Sequence, residues 1–235
     1  MKNKYIKNQQ QQSTATEYNR YPNHYMLTSC LLESIWSPGK NQKILVFGCS
    51  TGEEPFCLVK KYFYQSNHLI DAVDISEQAI ESAKKKNQHP RINYFLAKDF
   101  SPSEKYSAIF ANSVLCSHPP QNPYNITSEY PFKKFENTLS EITHMLDIGG
   151  VLMIYNSNYR LGDTIVSSKF CAATTFDRLD SGFVPVYSPK GTKNICFTNI
   201  KRLTHRIKRL AEKLLRSSSK QKLYYYPSVF IKIRD

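Results

Sequence analysis

The sequence predicts an α/β domain in which helices cover both faces of a mostly parallel sheet, and three observations predict it. Short apolar runs of strand length alternate with helical stripes from residue 43 onward. The first run passes through a glycine-bounded turn straight into a helix, as a parallel strand does when it enters its crossover. At 235 residues the chain is long enough to bury a large core without disulfides or metals.

Residues 1–20 are rich in Lys, Asn and Gln, with a run from Gln9 to Gln12, and read as a disordered tail that offers too little apolar area to offset ordering entropy. Tyr25, Met26, Leu27, Leu31, Leu32 and Ile35 then recur at helical spacing, giving a leading helix that Ser37-Pro38-Gly39 stops. The run KILVFG at 43–48 is the first strand, and a helix follows over 53–64. Residues 69–74 form the second strand, and Ser76 N-caps a second helix through Asn87. Strands at 92–97 and 106–111 come next. A helical stripe of Phe135, Leu139, Ile142, Met145 and Leu146 is ended by Gly149-Gly150, and 151–155 is the fifth strand. Beyond it, FVPVYS (183–188) and YYYPSVFIKI (224–233) are expected to close the sheet as an antiparallel pair, with a basic helix over 200–215 between them. Residues 21–235 thus read as one domain.

The net charge is +13, and it is concentrated late: residues 199–235 hold eleven Lys/Arg against two Asp/Glu. In the basic helix Leu203, Ile207, Leu210 and Leu214 form an apolar stripe flanked by Lys and Arg. That segment is either a solvated face or a contact for an anionic partner, nucleic acid or membrane, over residues 200–222. Cys30, Cys49, Cys57, Cys116, Cys171 and Cys196 include no C-x-x-C pair, so no metal is expected. No apolar run approaches the roughly 20 residues that cross a bilayer, and no secretory signal opens the chain, so cytoplasmic residence is the default expectation.

The chemistry is expected at the turn Gly48-Cys49-Ser50-Thr51-Gly52-Glu53-Glu54. Its G-x-x-x-G spacing is neither the dinucleotide fingerprint nor a P-loop, which counts against a nucleotide-dependent oxidoreductase. Two carboxylates at the helix start would repel a pyrophosphate and suit a cationic ligand. Asp74, at the end of the second strand, stands where an acid accepts both hydroxyls of a ribose. Asp99 and Phe100 follow the third strand, where an acid and an aromatic ring suit an adenine.

These segments, KILVFGCSTGEEP, IDAVDIS, LAKDF, SAIFANSVL and LDIGGVLMIYNSNYR, resemble the successive motifs of class I S-adenosylmethionine-dependent methyltransferases over residues 43–160. The glycine turn is especially similar to that of the chemotaxis-receptor (glutamate O-methyl) methyltransferases, although their helical N-terminal domain has no counterpart here. The resemblance implies a Rossmann-like three-layer sandwich whose mostly parallel seven-stranded sheet has an antiparallel C-terminal strand. It implies S-adenosylmethionine as cofactor, with Gly48, Cys49, Ser50, Gly52 and Glu53 at its methionine end. Asp74 and Ile75 would hold the ribose and Asp99 and Phe100 the adenine, with Asn112 a further cofactor-binding candidate.

The methyl acceptor is expected over the fourth and fifth strands, from Asn112 to His118 and from Asn156 to Asp163. A carboxylate acceptor needs no base, whereas an amine or a hydroxyl often does, and His118 is the candidate base. Tyr159 and Arg160, after the fifth strand, are candidates for orienting a polar acceptor, with Arg160 able to hold a carboxylate or phosphate by two points. No Asn/Asp-Pro-Pro-aromatic motif follows the fourth strand, which disfavours a nucleobase amine. The acceptor is expected to be a small molecule, glycan or protein. The alternative is a non-catalytic module that keeps the nucleoside pocket and recruits an anionic partner.

Overall fold

The computed structural model describes residues 15–36, 41–102, 104–173, 184–193 and 227–235. Their order is helix α1 (Pro22–Ile35), strand β1 (Lys43–Phe47), helix α2 (Glu53–Cys57), β2 (Leu69–Asp74), α3 (Glu77–Lys86), β3 (Ile92–Leu96), β4 (Tyr106–Asn112), α4 (Phe132–Met145), β5 (Leu146–Tyr155), β6 (Phe170–Ala172) and β7 (Val229–Lys232). One seven-stranded sheet runs β3-β2-β1-β4-β5-β7-β6. The first five strands are parallel, and β7 is antiparallel to both β5 and β6. This is the Rossmann-like architecture expected from the sequence.

Alternation along each strand sends side chains to two cores. On one face Ile44, Val46, Ile70, Ala72, Phe110 and Met153 meet Tyr25 and Leu32 of α1, Leu58 and Phe63 after α2, and Ile80 of α3. On the other, Leu45, Ile109, Leu152 and Ile154 meet Phe135, Leu139 and Ile142 of α4. The three α4 side chains are fully buried, each contributing about 1.5–3 kcal/mol by transfer from water.

The helix expected over 53–64 is α2 continued by one π-helical turn, Leu58–Tyr62, closed by Phe63 N–H donating to the Leu58 carbonyl at 2.8 Å. The Arg91 guanidinium gathers the carbonyls this turn leaves open, donating to Val59 at 3.0 Å, to Phe63 at 2.8 Å and to Ser66. As expected, the Ser76 hydroxyl caps α3, accepting from Ala79 N–H at 3.3 Å.

Gly149-Gly150 do not end α4. The helix stops at Met145, and Leu146 turns directly into β5 with φ −95° and ψ 136°. Buried Lys232 of β7 takes over the capping role, its ammonium donating to the carbonyls of Thr143 at 3.0 Å and Leu146 at 2.8 Å. The glycines lie inside β5, where Gly149 has φ +81° and the register against β4 shifts between Tyr106 and Ala108. Glycine inside a strand marks such a bulge as readily as a helix end.

The closing strands also differ from expectation. β7 does form from the end of YYYPSVFIKI, but it pairs with Phe170–Ala172. Residues 184–188 of FVPVYS pack instead against the loops after β4 and β5, with Tyr187 N–H donating to the Asn158 carbonyl at 2.7 Å and Tyr187 bridging to Lys193. The basic segment 200–222 and Cys196 lie outside the described residues.

Between β3 and β4 the described residues hold a single 3-10 turn, Ala97–Asp99, where a full crossover helix would cover the sheet. A buried polar cluster ties the starts of the neighbouring strands. Asp71 accepts from the Tyr106 hydroxyl at 2.7 Å and from Asn93 at 3.0 Å, and pairs with Lys43 at 3.5 Å. Asp71 is 4% exposed, so these partners satisfy a carboxylate that is buried in the sheet.

Candidate functional site

The carboxyl ends of β1, β2 and β4 open into a cavity of about 760 Å³, in the size range of small-molecule sites. Its floor is the glycine turn. Gly48 and Cys49 both donate their N–H groups to the Val73 carbonyl, at 2.8 and 3.0 Å, which folds the turn onto the end of β2. Gly48 has φ +82°, and a Cβ there would stand 2.5 Å from a Val114 methyl, so the position requires glycine on both counts. Ser50 follows with φ +49°, and Gly52 with φ +91°.

Asp74 ties this turn to the next loop. One carboxylate oxygen accepts from Ser50 N–H at 2.8 Å and the other from Ser76 N–H at 2.9 Å. Each oxygen keeps a lone-pair direction beyond its backbone bond. Asp74 and Ile75 line the cavity with Ala97, Phe100 and Pro102, and Phe100 is braced by Phe95 with ring centroids 5.5 Å apart.

Opposite the turn, Glu54 of α2 is buried, its carboxylate accepting from the Asn112 amide at 2.6 Å. Burial pushes the Glu54 carboxyl up from 4.5 to about 7, against the opposing influence of Asn112 and Arg20. The Asn112 amide oxygen and the Tyr25 hydroxyl are also buried and have no partner among the described residues. Both residues line the cavity.

The segment before α1 roofs this end. Residues 15–20, read from sequence as the end of a disordered tail, form a turn whose Asn19 accepts from the Tyr62 hydroxyl at 2.5 Å. Arg20 and Tyr21 are thereby brought into the cavity wall. The Tyr21 hydroxyl lies 2.8 Å from the Ser113 hydroxyl, and the Asn156 amide donates to both, at 3.2 and 2.8 Å.

Of the sequence-predicted cofactor residues, Gly48, Cys49, Ser50, Asp74, Ile75, Phe100 and Asn112 line the cavity, while Gly52, Glu53 and Asp99 do not. Gly52 packs behind the turn, where a Cβ would stand 2.7 Å from the Tyr94 hydroxyl. Glu53 accepts from the Thr51 hydroxyl at 2.6 Å, and its neighbour Glu54 lines the cavity in its place. Asp99 is exposed on the 3-10 turn. Burial and the charges of Asp74 and Glu54 drive the Cys49 thiol well above its ordinary value, so it is a wall and not a nucleophile.

None of the candidate catalytic residues reaches the cavity. His118 is half-buried beside the cis bond to Pro119, and Arg160 is half-buried at the start of the turn Leu161–Asp163. Tyr159 is a core residue, 3% exposed, donating its hydroxyl to the Tyr130 carbonyl at 2.6 Å. The residues missed from sequence are Glu54's companions Arg20, Tyr21 and Tyr25. The helical stripe that marked α1 gave Tyr25 a core role but no sign of which strand ends it would face. Among the described residues no group of three His, Cys, Asp or Glu is placed to hold a metal, and no helix is long and apolar enough to cross a membrane.

No protein-family model and no curated protein matches the chain. Among solved structures it is similar to the plantazolicin methyltransferase BpumL, in complex with a pentazolic desmethylPZN analog and SAH, with 20% identity over 58% of this chain and 46% of that one and a TM-score of 0.40. It is similar to the sugar N-methyltransferase KedS8 from Streptoalloteichus sp., with 17% identity over 59% of this chain and 49% of that one at a TM-score of 0.39. It is also similar to SAM-bound CalS10, an amino pentose methyltransferase from Micromonospora echinaspora, with 11% identity over 56% and 48% at a TM-score of 0.38. The chain thus spans just under half the length of these proteins.

Proposed function

We propose that the cavity binds S-adenosylmethionine and that the protein transfers its methyl group to an acceptor. One observation carries the reading. A buried carboxylate, Glu54, is bonded to the Asn112 amide, whose oxygen Oδ1 has no partner among the described residues. Two such acceptors in a low-dielectric wall suit a cation rich in N–H donors, and the α-ammonium of the cofactor is one. Arg20, in the same wall, complements the neighbouring α-carboxylate. At the other end Asp74 would accept the ribose hydroxyls, and Phe100 and Ala97 would cover the adenine.

When bound, the cofactor supplies an electrophilic methyl on a sulfonium. The protein's share is to hold the reacting groups in line and exclude water. The α1 roof does the excluding, because Tyr21 and Tyr25 are 7% and 0% exposed. The acceptor belongs over the ends of β4 and β5, beside Ser113.

S-Adenosylmethionine and S-adenosylhomocysteine are expected to raise the melting temperature of the wild type, and Asp74→Ala is expected to remove the shift. An unchanged melting temperature with both compounds at millimolar concentration contradicts the reading.

A further inference from the structure

One wall of the cavity has no task when Glu54, Arg20 and Asp74 seat the cofactor. Lys134, Asn137, Thr138 and Glu141 of α4 all line it, and their spacing puts them on one helix face. That face lies beside the stripe of Phe135, Leu139 and Ile142 that packs on the sheet. The β3–β4 connection contributes Ala97, Phe100 and Pro102 to the same cavity.

Four carboxylates line the cavity, and they differ in their commitments. Glu54 accepts from the Asn112 amide, and Asp74 accepts from the N–H groups of Ser50 and Ser76. Glu17 belongs to the segment before α1, beside Arg20 at the roof. The side chains of Glu141 and Asn137 are exposed and have no hydrogen bond or ion pair among the described residues. Asp99, the acid that the family resemblance assigns to the adenine, is exposed and does not line the cavity, although its neighbour Phe100 does.

An adenine edge presents the N–H donors of its exocyclic amine beside a ring-nitrogen acceptor. A carboxylate only accepts and a carboxamide can donate, so Glu141 and Asn137, neighbours four residues apart on the helix surface, match that edge. The other polar groups of this wall match it less well. Lys134 has only N–H groups to give, and the Thr138 hydroxyl already donates to the Lys134 carbonyl at 3.0 Å. His144 stands in the last turn of α4, next to the start of β5 and so toward the amino ends of the strands, away from Asp74.

From this arrangement we infer that α4 reads the adenine edge, Glu141 accepting from the exocyclic amine and Asn137 donating to the ring nitrogen beside it, and that Asp99 takes no part. Both are specificity-determining residues that stand apart from the transferring methyl group. The inference rests on the reading of the cavity as a site for S-adenosylmethionine, and it departs from the acid after the third strand that the resemblance implies.

The test titrates the full chain calorimetrically with S-adenosylhomocysteine and with S-inosylhomocysteine, in which an oxygen replaces the exocyclic amine and the adjacent ring nitrogen carries a proton. The analogue reverses the order of donor and acceptor, so the wild type is expected to bind it roughly thirtyfold more weakly. Glu141→Gln, a surface substitution that leaves the fold intact, is expected to bring the two compounds within about threefold of each other, because an amide accepts or donates. Asn137→Ala is expected to weaken S-adenosylhomocysteine binding about fivefold, and Asp99→Asn to keep the wild-type preference. Equal binding of the two compounds by the wild type, the full preference retained in Glu141→Gln, an unchanged affinity in Asn137→Ala or a preference lost in Asp99→Asn overturns the inference. Failure of the wild type to bind S-adenosylhomocysteine sinks the functional reading instead.

Discussion

Glu54 gives the site its pH dependence. An empty site holds this carboxyl protonated up to about pH 7, whereas the unfolded chain ionises it near 4.5. Its contribution to stability is therefore present below pH 4.5 and is lost as pH rises through 7. The displacement corresponds to a cost of roughly 3 kcal/mol at higher pH. Glu54→Gln is expected to raise the melting temperature of the ligand-free protein relative to wild type at pH 8.5, with the difference vanishing near pH 4.5; a constant difference across that range contradicts the assignment. Gly48→Ala tests the turn. A methyl 2.5 Å from Val114, on a backbone at φ +82°, is expected to cost about 2–3 kcal/mol in urea unfolding. Lys232→Met leaves the carbonyls of Thr143 and Leu146 without their donor in a buried setting, and a loss of about 2–4 kcal/mol is expected by the same measurement.

At the scale of elements, a buried polar cluster ties four strands together. Asp71 of β2 collects Tyr106 of β4, Asn93 of β3 and Lys43 of β1. Asp71→Ala is expected to destabilise the protein by about 2–3 kcal/mol while S-adenosylhomocysteine affinity stays within about twofold, because the ladder lies at the opposite end of the strands from the cavity. A large loss of affinity with unchanged stability contradicts that role. Sequence reading located β1 to β5 and α1 to α4 because each is an apolar run or stripe with local punctuation, such as Ser76 before α3. It placed the helix at 132–146, within one residue of α4, but began β5 at Val151 and not at Leu146, because Gly149-Gly150 carry the same local signal whether they stop a helix or bend a strand, and the cap is supplied by Lys232 from 86 or more residues away. The three-residue β6 is too short to show a period.

Over the whole molecule, the legible half of the cavity is the half built by contiguous motifs. Gly48, Ser50, Asp74 and Phe100 stand in turns that directly follow strands, so strand order alone brings them together. Arg20, Tyr21 and Tyr25 come from a segment that reaches the strand ends through Asn19, Tyr62 and Asn156, and no local pattern announces such contacts. His118, Tyr159 and Arg160 follow β4 and β5 at plausible distances in sequence, yet the chain turns them aside, Tyr159 into the core beside Tyr130.

Calorimetric titration of S-adenosylhomocysteine into the wild type and into Glu54→Gln, at pH 6 and pH 8, tests the central claim most directly. The account predicts tighter binding by the wild type at pH 8 than at pH 6, with proton release at the lower pH, and affinity at least tenfold weaker and independent of pH in Glu54→Gln. Absence of binding heat at either pH, or equal pH-independent affinity in the two proteins, contradicts it.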